Sequence, residues 1–113
     1  MERKTTIILP TKDGREIVNA EDIISVCSNN KSVIVEMEGN KKFEARLGIG
    51  SMYDQLDQQY FIRCHRTCIV NLVKIKKIRG PFNSFIMCDG NEKPIAKASK
   101  KSVKEYFNQF YQR

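Results

Sequence analysis

The sequence predicts a mainly β, multi-sheet fold of about ten short strands with one short internal helix and a C-terminal helix. Three observations predict it. Short runs with alternating apolar and polar residues recur along most of the chain, broken by Gly, Asn, Asp and Pro. Only the last stretch keeps helical spacing over several turns. The 113 residues, 41% hydrophobic and 29% charged, suffice for one hydrophobic core, so residues 1–113 are expected to form a single domain with its core over about 5–110.

Thr5 to Leu9 reads as a strand, and Asp13-Gly14 reverses the chain into Arg15 to Val18, a hairpin. Asn19-Ala-Glu-Asp offers an N-cap and an acidic first turn for one turn of helix. Ile23 to Ser28 follows as a buried strand, ended by Ser28-Asn-Asn-Lys-Ser32. Val33, Val35 and Met37 alternate with Ile34, Glu36 and Glu38, and Glu38-Gly39-Asn40 turns into Lys41 to Arg46, giving a second hairpin. Gly48-Ile-Gly-Ser51 opens a helix of two turns at most, with Ser51 as its cap and Met52, Leu56 and Tyr53 on its apolar face. Phe61 to Cys64, Cys68 to Leu72, Ile75 to Ile78 and Phe82 to Cys88 are further strands. Ser99 is the expected cap of the final helix, whose Val103, Phe107 and Phe110 recur at i, i+4 and i+7. There is no internal repeat and no low-complexity tract.

Charge is unevenly distributed. Residues 1–60 hold 8 Lys/Arg against 10 Asp/Glu, and residues 61–113 hold 12 against 3, so the halves carry −2 and +9. Clustered cations reward a polyanionic partner through counterion release from its phosphates. The competing explanation is a basic surface that serves solubility alone. No apolar run reaches the roughly 20 residues of a membrane span, and Thr5-Thr-Ile-Ile-Leu-Pro10 is too short for a signal peptide, so a cytoplasmic location is expected, with no membrane partner.

Cys27, Cys64, Cys68 and Cys88 sit in apolar stretches and read as reduced core thiols. Cys64-His-Arg-Thr-Cys68 invites a zinc or redox reading, but it lacks a second ligand pair, and its histidine is the only one in the chain. No metal and no cofactor is expected. With no Gly-rich phosphate loop, no nucleophile elbow and no carboxylate pair in an apolar setting, the chain shows no apparatus for catalysis and no small-molecule substrate is expected.

Phe61-Ile-Arg-Cys-His-Arg-Thr-Cys-Ile-Val-Asn71 closely resembles the central signature of LytTR domains: an aromatic strand start, then His-Arg, then Val-Asn. The order of elements around it fits as well, from the Ile-rich strand with its polar loop, through the hairpin and short helix, to Lys74-Ile-Lys-Lys-Ile78, the turn at Asp89-Gly90 and a Lys-rich entry into the last helix. The resemblance spans roughly residues 5 to 110. It implies a bacterial transcription-regulation domain that binds double-stranded DNA sequence-specifically by inserting loops, not a recognition helix, into successive major grooves. In the family such domains typically sit at the C-terminus of response regulators. A second copy on adjacent repeats is a further partner to test.

The resemblance also assigns candidate residues. Arg66 stands in a polar break between strands, where a guanidinium can donate two hydrogen bonds to guanine O6/N7 or clamp a phosphate; an ion-paired surface arginine is the alternative. His65 either contacts DNA or fixes the loop. Asn71 reads as a turn-former bonded to backbone, with a DNA contact as the alternative. Asn29, Asn30 and Lys31 match the first DNA-contacting loop, where amides can read adenine edges and Lys31 can neutralise phosphate, or they form an ordinary turn. The third loop lies at Ala96-Lys-Ala-Ser-Lys-Lys101, with the register open between Lys97 and Lys100. Lys100 and Lys101 oppose the macrodipole in the first helical turn, an arrangement that a bound phosphate would relieve. Lys74, Lys76 and Lys77 are expected to cover a solvent edge. The competing function is a non-catalytic β-rich module binding RNA, anionic lipid or an acidic protein.

Overall fold

The computed structural model describes residues 5–112. Ten strands form three antiparallel sheets. The first is the hairpin of β1 (Thr6–Thr11) and β2 (Gly14–Asn19), turning at Lys12-Asp13 with Gly14 at φ +147°. Asn19 Oδ1 accepts the Glu21 N–H at 3.0 Å and caps a single 3-10 turn over Ala20–Asp22, as its sequence predicts.

The central sheet has five strands. They are β3 (Ile23–Asn29), β4 (Ser32–Met37), β5 (Lys41–Ala45), β6 (Phe61–His65) and β7 (Cys68–Asn71), in the order β5-β4-β3-β7-β6. The third sheet joins β10 (Glu92–Pro94), β9 (Ser84–Met87) and β8 (Ile75–Arg79). Helix α1 (Ile49–Gln55) separates β5 from β6, and α2 (Lys100–Tyr111) follows a 3-10 turn at Lys97–Ser99.

Both faces of the central sheet are covered, which is why β3 and β7 are apolar almost throughout. One face buries Ile23, Val26, Val33, Val35, Phe61 and Ile69 beneath the β1–β2 hairpin and α1. The other buries Ile24, Ile62, Cys64 and Val70 beneath the third sheet and α2. A bulge between Ile23 and Ser25 lets Ile23 and Val26, three apart, share a face. Each fully buried valine or isoleucine contributes about 1.5–3 kcal/mol relative to exposure. Helix α2 is anchored by aromatic packing: Phe107 stacks on Phe85 with centroids 6.0 Å apart, and the Tyr111 hydroxyl donates to the Leu72 carbonyl at 2.6 Å.

Several local expectations are corrected. Gly48, not Ser51, precedes α1, and Ser51 lies inside it. Ser99 has helical dihedrals (φ −99°, ψ −5°) and makes no side-chain capping bond, because the chain enters α2 directly from the 3-10 turn. Phe82 is not in a strand; it turns the chain at φ +57°. Strand β10 is additional to the strands read from the sequence. Cys88 is exposed and Cys27 half-buried, so only Cys64 and Cys68 are core thiols. Lys76 and Lys77 are exposed on β8, an edge of the third sheet, while Lys74 pairs with Glu38 at 3.0 Å.

Candidate nucleic-acid interface

Strand pairing places the loops. β3 runs antiparallel to β7 with Cys27 opposite Cys68, so the β3–β4 turn at Asn30-Lys31 and the β6–β7 turn at Arg66-Thr67 emerge at the same end of the central sheet. A main-chain bond from Ser28 N–H to the Thr67 carbonyl, 2.8 Å, joins them. The third loop is tied to this end by the Ala96 N–H, which bonds the Cys64 carbonyl at 2.8 Å. From there α2 runs along the sheet to Tyr111 beside Leu72, which follows the opposite end of β7. Lys97 and the first turn of α2 therefore share one end of the molecule with Arg66 and Lys31.

The β6–β7 turn is held from several sides. The Arg63 guanidinium donates to the Arg66 carbonyl at 2.7 Å. The Thr67 N–H donates to His65 Nδ1 at 3.2 Å, and the Thr67 hydroxyl lies 2.8 Å from the same nitrogen. Nδ1 is thus an acceptor, and in the neutral ring the proton sits on Nε2. His65 fixes the loop that carries Arg66, and it is half-buried. Arg66 itself is exposed. Asn71 is fully buried and structural: its amide donates to the Ile23 carbonyl at 2.8 Å and its oxygen accepts the Val73 N–H at 3.2 Å.

At the β3–β4 turn Asn29, Asn30 and Lys31 are exposed, and Asn30 adopts φ +57°, a conformation Asn tolerates better than most residues. Together with Ser32, Glu44 and Arg46 they line a shallow depression. Sequence reasoning missed Arg46 and Arg63. Arg46 follows β5, whose Ala45 pairs with Val33, and this cross-strand register is the only signal that brings it beside the turn. Arg63 was hidden inside a strand, although its Nε is buried without a partner among the described residues.

Lys97 and Lys101 are exposed, and Lys100 is half-buried. No side chain caps the 3-10 turn or α2, and the first turn of α2 contains no acidic residue. Within the described residues, Lys31, Arg46, Arg66, Lys97, Lys100 and Lys101 enter no ion pair; Glu44, the acidic side chain in the depression beside Lys31 and Arg46, accepts a hydrogen bond from Ser32. Cations on three adjoining loops, without ion pairs among the described residues, form a surface suited to a polyanion.

The LytTr DNA-binding domain profile matches residues 13–108. The chain belongs to the LytTR family of DNA-binding domains. This LytTR domain is 28% identical over 102 residues to the sensory transduction protein LytT of Bacillus anthracis, an alignment covering 88% of the chain and 41% of that relative's length. Its fold is similar to the solved LytTr DNA-binding domain of a methyl-accepting/DNA response regulator from Bacillus cereus, with a TM-score of 0.76 and 24% identity, covering 91% of this chain and 96% of that one. The signature at Phe61 to Asn71 thus belongs to a LytTR domain, and the mainly β architecture agrees with the fold the sequence predicts. No helix among the described residues is long and apolar enough to cross a membrane.

Proposed function

We propose that this LytTR domain binds double-stranded DNA sequence-specifically in transcription regulation, with the three loops at the cationic end of the central sheet entering the major groove. The observation that carries the reading is the convergence of Asn29 to Lys31, His65-Arg66 and Lys97 to Lys101 on one end, joined by the Ser28–Thr67 and Ala96–Cys64 main-chain bonds. In this reading Arg66, whose main chain is held by Arg63, reads a base edge with its exposed guanidinium, guanine being the best match for a bidentate contact. Lys31, Lys97, Lys100 and Lys101, together with Arg46, neutralise phosphates and set the register of the duplex. His65 orders the middle loop and offers Nε2–H to a phosphate oxygen. The 113-residue chain acts as one DNA-binding unit in the cytoplasm.

Selection of bound duplexes from a random pool, followed by a gel-shift salt series on the enriched site, tests this. A defined consensus is expected, with affinity falling about a hundredfold to a thousandfold when salt rises about fourfold. Binding with no sequence preference, or a flat salt response, would overturn the reading. Preferential binding to structured RNA or anionic vesicles would replace it with another polyanion.

A further inference from the structure

Between two of these loops lies a group of thiols that phosphate binding does not use. Cys27 of β3 and Cys68 of β7 are direct cross-strand partners, and their sulfurs are 3.7 Å apart. Because Ser28 N–H bonds Thr67 in the next rung, Cys27 and Cys68 occupy a non-hydrogen-bonded pair, where Cα atoms approach to about 4.5 Å. That falls within the roughly 4.4–6.8 Å that a disulfide spans without backbone movement. Cys27 is half-buried, whereas Cys68 is buried. Lys93 of β10, only 8% exposed, places Nζ 3.3 Å from Cys27 Sγ and 2.5 Å from Glu36 Oε1 on β4.

These neighbours make the four thiols unequal. The hydrogen bond from Cys68 and the Lys93 ammonium hold Cys27 down to about 6, against burial and the charge of Glu36. Cys68, in contact with Cys27 and itself buried, is pushed well up. Burial raises Cys64 to about 12, and Cys88 is raised by desolvation and by Glu38. The Lys93 ammonium 3.3 Å from Cys27 Sγ thus favours the thiolate of Cys27 over those of the other three cysteines, and the thiolate is the nucleophilic form.

We propose that Cys27 is an oxidant-modification site that reacts with hydroperoxides and is resolved by Cys68 as a cross-strand disulfide. The Cys27 thiolate attacks the terminal peroxide oxygen and the O–O bond breaks. Two electrons pass from sulfur to the peroxide, an alcohol or water leaves with a proton, and Cys27 becomes a sulfenic acid. The Cys68 sulfur then attacks the Cys27 sulfur. The S–O bond breaks, hydroxide leaves as water with the Cys68 proton, and the S–S bond forms. Two thiols and one hydroperoxide yield one disulfide, one alcohol and one water. Lys93 acts as a positioning residue that keeps the Cys27 thiolate charged.

Treating the reduced chain with hydrogen peroxide and mapping its peptides by mass spectrometry tests the assignment. The expected product is a Cys27–Cys68 linked pair lacking two hydrogen atoms. In Cys68→Ser the reaction stops at a Cys27 sulfenic acid that a dimedone-type carbon nucleophile traps, and Lys93→Met slows oxidation at neutral pH by about tenfold. Iodoacetamide labelling of the wild-type chain needs no variant, and the Cys27 rate should rise through a midpoint near pH 6. Faster oxidation of exposed Cys88, a mapped Cys64–Cys68 bridge, or a Cys27 labelling midpoint near that of an ordinary thiol would each overturn the proposal.

Discussion

The two ends of the central sheet are built from the same strands and treat charge in opposite ways. At the end carrying the β4–β5 and β9–β10 turns, polar groups find each other: Lys74 pairs with Glu38, Asn91 donates to Glu36 at 2.9 Å, and Lys93 reaches Glu36 from the sheet above. At the end carrying Lys31, Arg66 and Lys97, backbone bonds hold the loops while the cationic side chains point to solvent without ion pairs within the described residues. Internal partners tie the first set of charges to stability. The absence of such partners leaves the second set available to a ligand. Substitutions at the two ends should therefore separate stability from affinity.

The largest expected effect is at the self-satisfied side. Asn71→Ala strands the buried Ile23 carbonyl and Val73 N–H, and urea denaturation should show a loss of about 2–4 kcal/mol, with the duplex affinity of the folded fraction unchanged. Arg66→Ala should do the reverse. Binding to the selected site is expected to weaken by about 1–3 kcal/mol, with base preference relaxed at one position and stability within about 0.5 kcal/mol of wild type. An unchanged preference profile would remove Arg66 from base reading.

Lys100→Ala combined with Lys101→Ala sharpens the contrast, because its two effects have opposite signs. Affinity should fall by a similar factor for all duplexes, while relief of the helix-dipole conflict raises stability by about 0.3–1 kcal/mol per lysine. A loss confined to one sequence would argue against a phosphate-positioning role.

Glu36→Gln is the mildest, costing about 1 kcal/mol near neutral pH. Burial works to raise the Glu36 carboxyl, but the hydrogen bond and charge of Lys93, then Ser25, hold it below its ordinary 4.5. Burial likewise works to lower Lys93, and the hydrogen bonds it donates to Glu36 and Cys27, with their charges, raise it above 10.5. A lowered acid contributes stability that is full above its ordinary value and lost as pH falls through the folded one. A raised base contributes below its ordinary value and loses that contribution as pH rises through the folded one. The Glu36–Lys93 pair thus supports the fold between these limits. Denaturation at stepped pH should show a shallower acid limb in Glu36→Gln than in wild type.

Most of the scaffold was legible because its signals are local. Asp13-Gly14, Asn19 and Glu38-Gly39-Asn40 specify turns through their own side chains and backbone freedom, and the alternation of Val33, Val35 and Met37 exposes the burial of β4. Strand β10 was missed because three residues ending in Pro94 carry little strand signal; proline is tolerated there because β10 is an edge strand. Ser51 and Ser99 misled because serine is favoured at caps, yet Gly48 and a preceding 3-10 turn open the two helices. His65 and Arg66 stood out as candidates through the Phe61 to Asn71 signature, and the outer loops through their place in the order of elements. Their shared end was not legible, nor were the burial of Lys93 and the Cys27–Cys68 contact, since each depends on residues distant in the chain meeting in space, 41 positions apart for Cys27 and Cys68 and 57 and 66 apart for the Lys93 contacts.

The two ties that gather the loops, Ser28 to Thr67 and Ala96 to Cys64, run from main chain to main chain. Substituting a side chain at position 31, 66 or 97 leaves those bonds untouched, so the exposed tips can be exchanged without re-engineering the frame that carries them. Under the proposed function, such wiring lets ligand preference drift by point changes at the tips, the interior staying as it was.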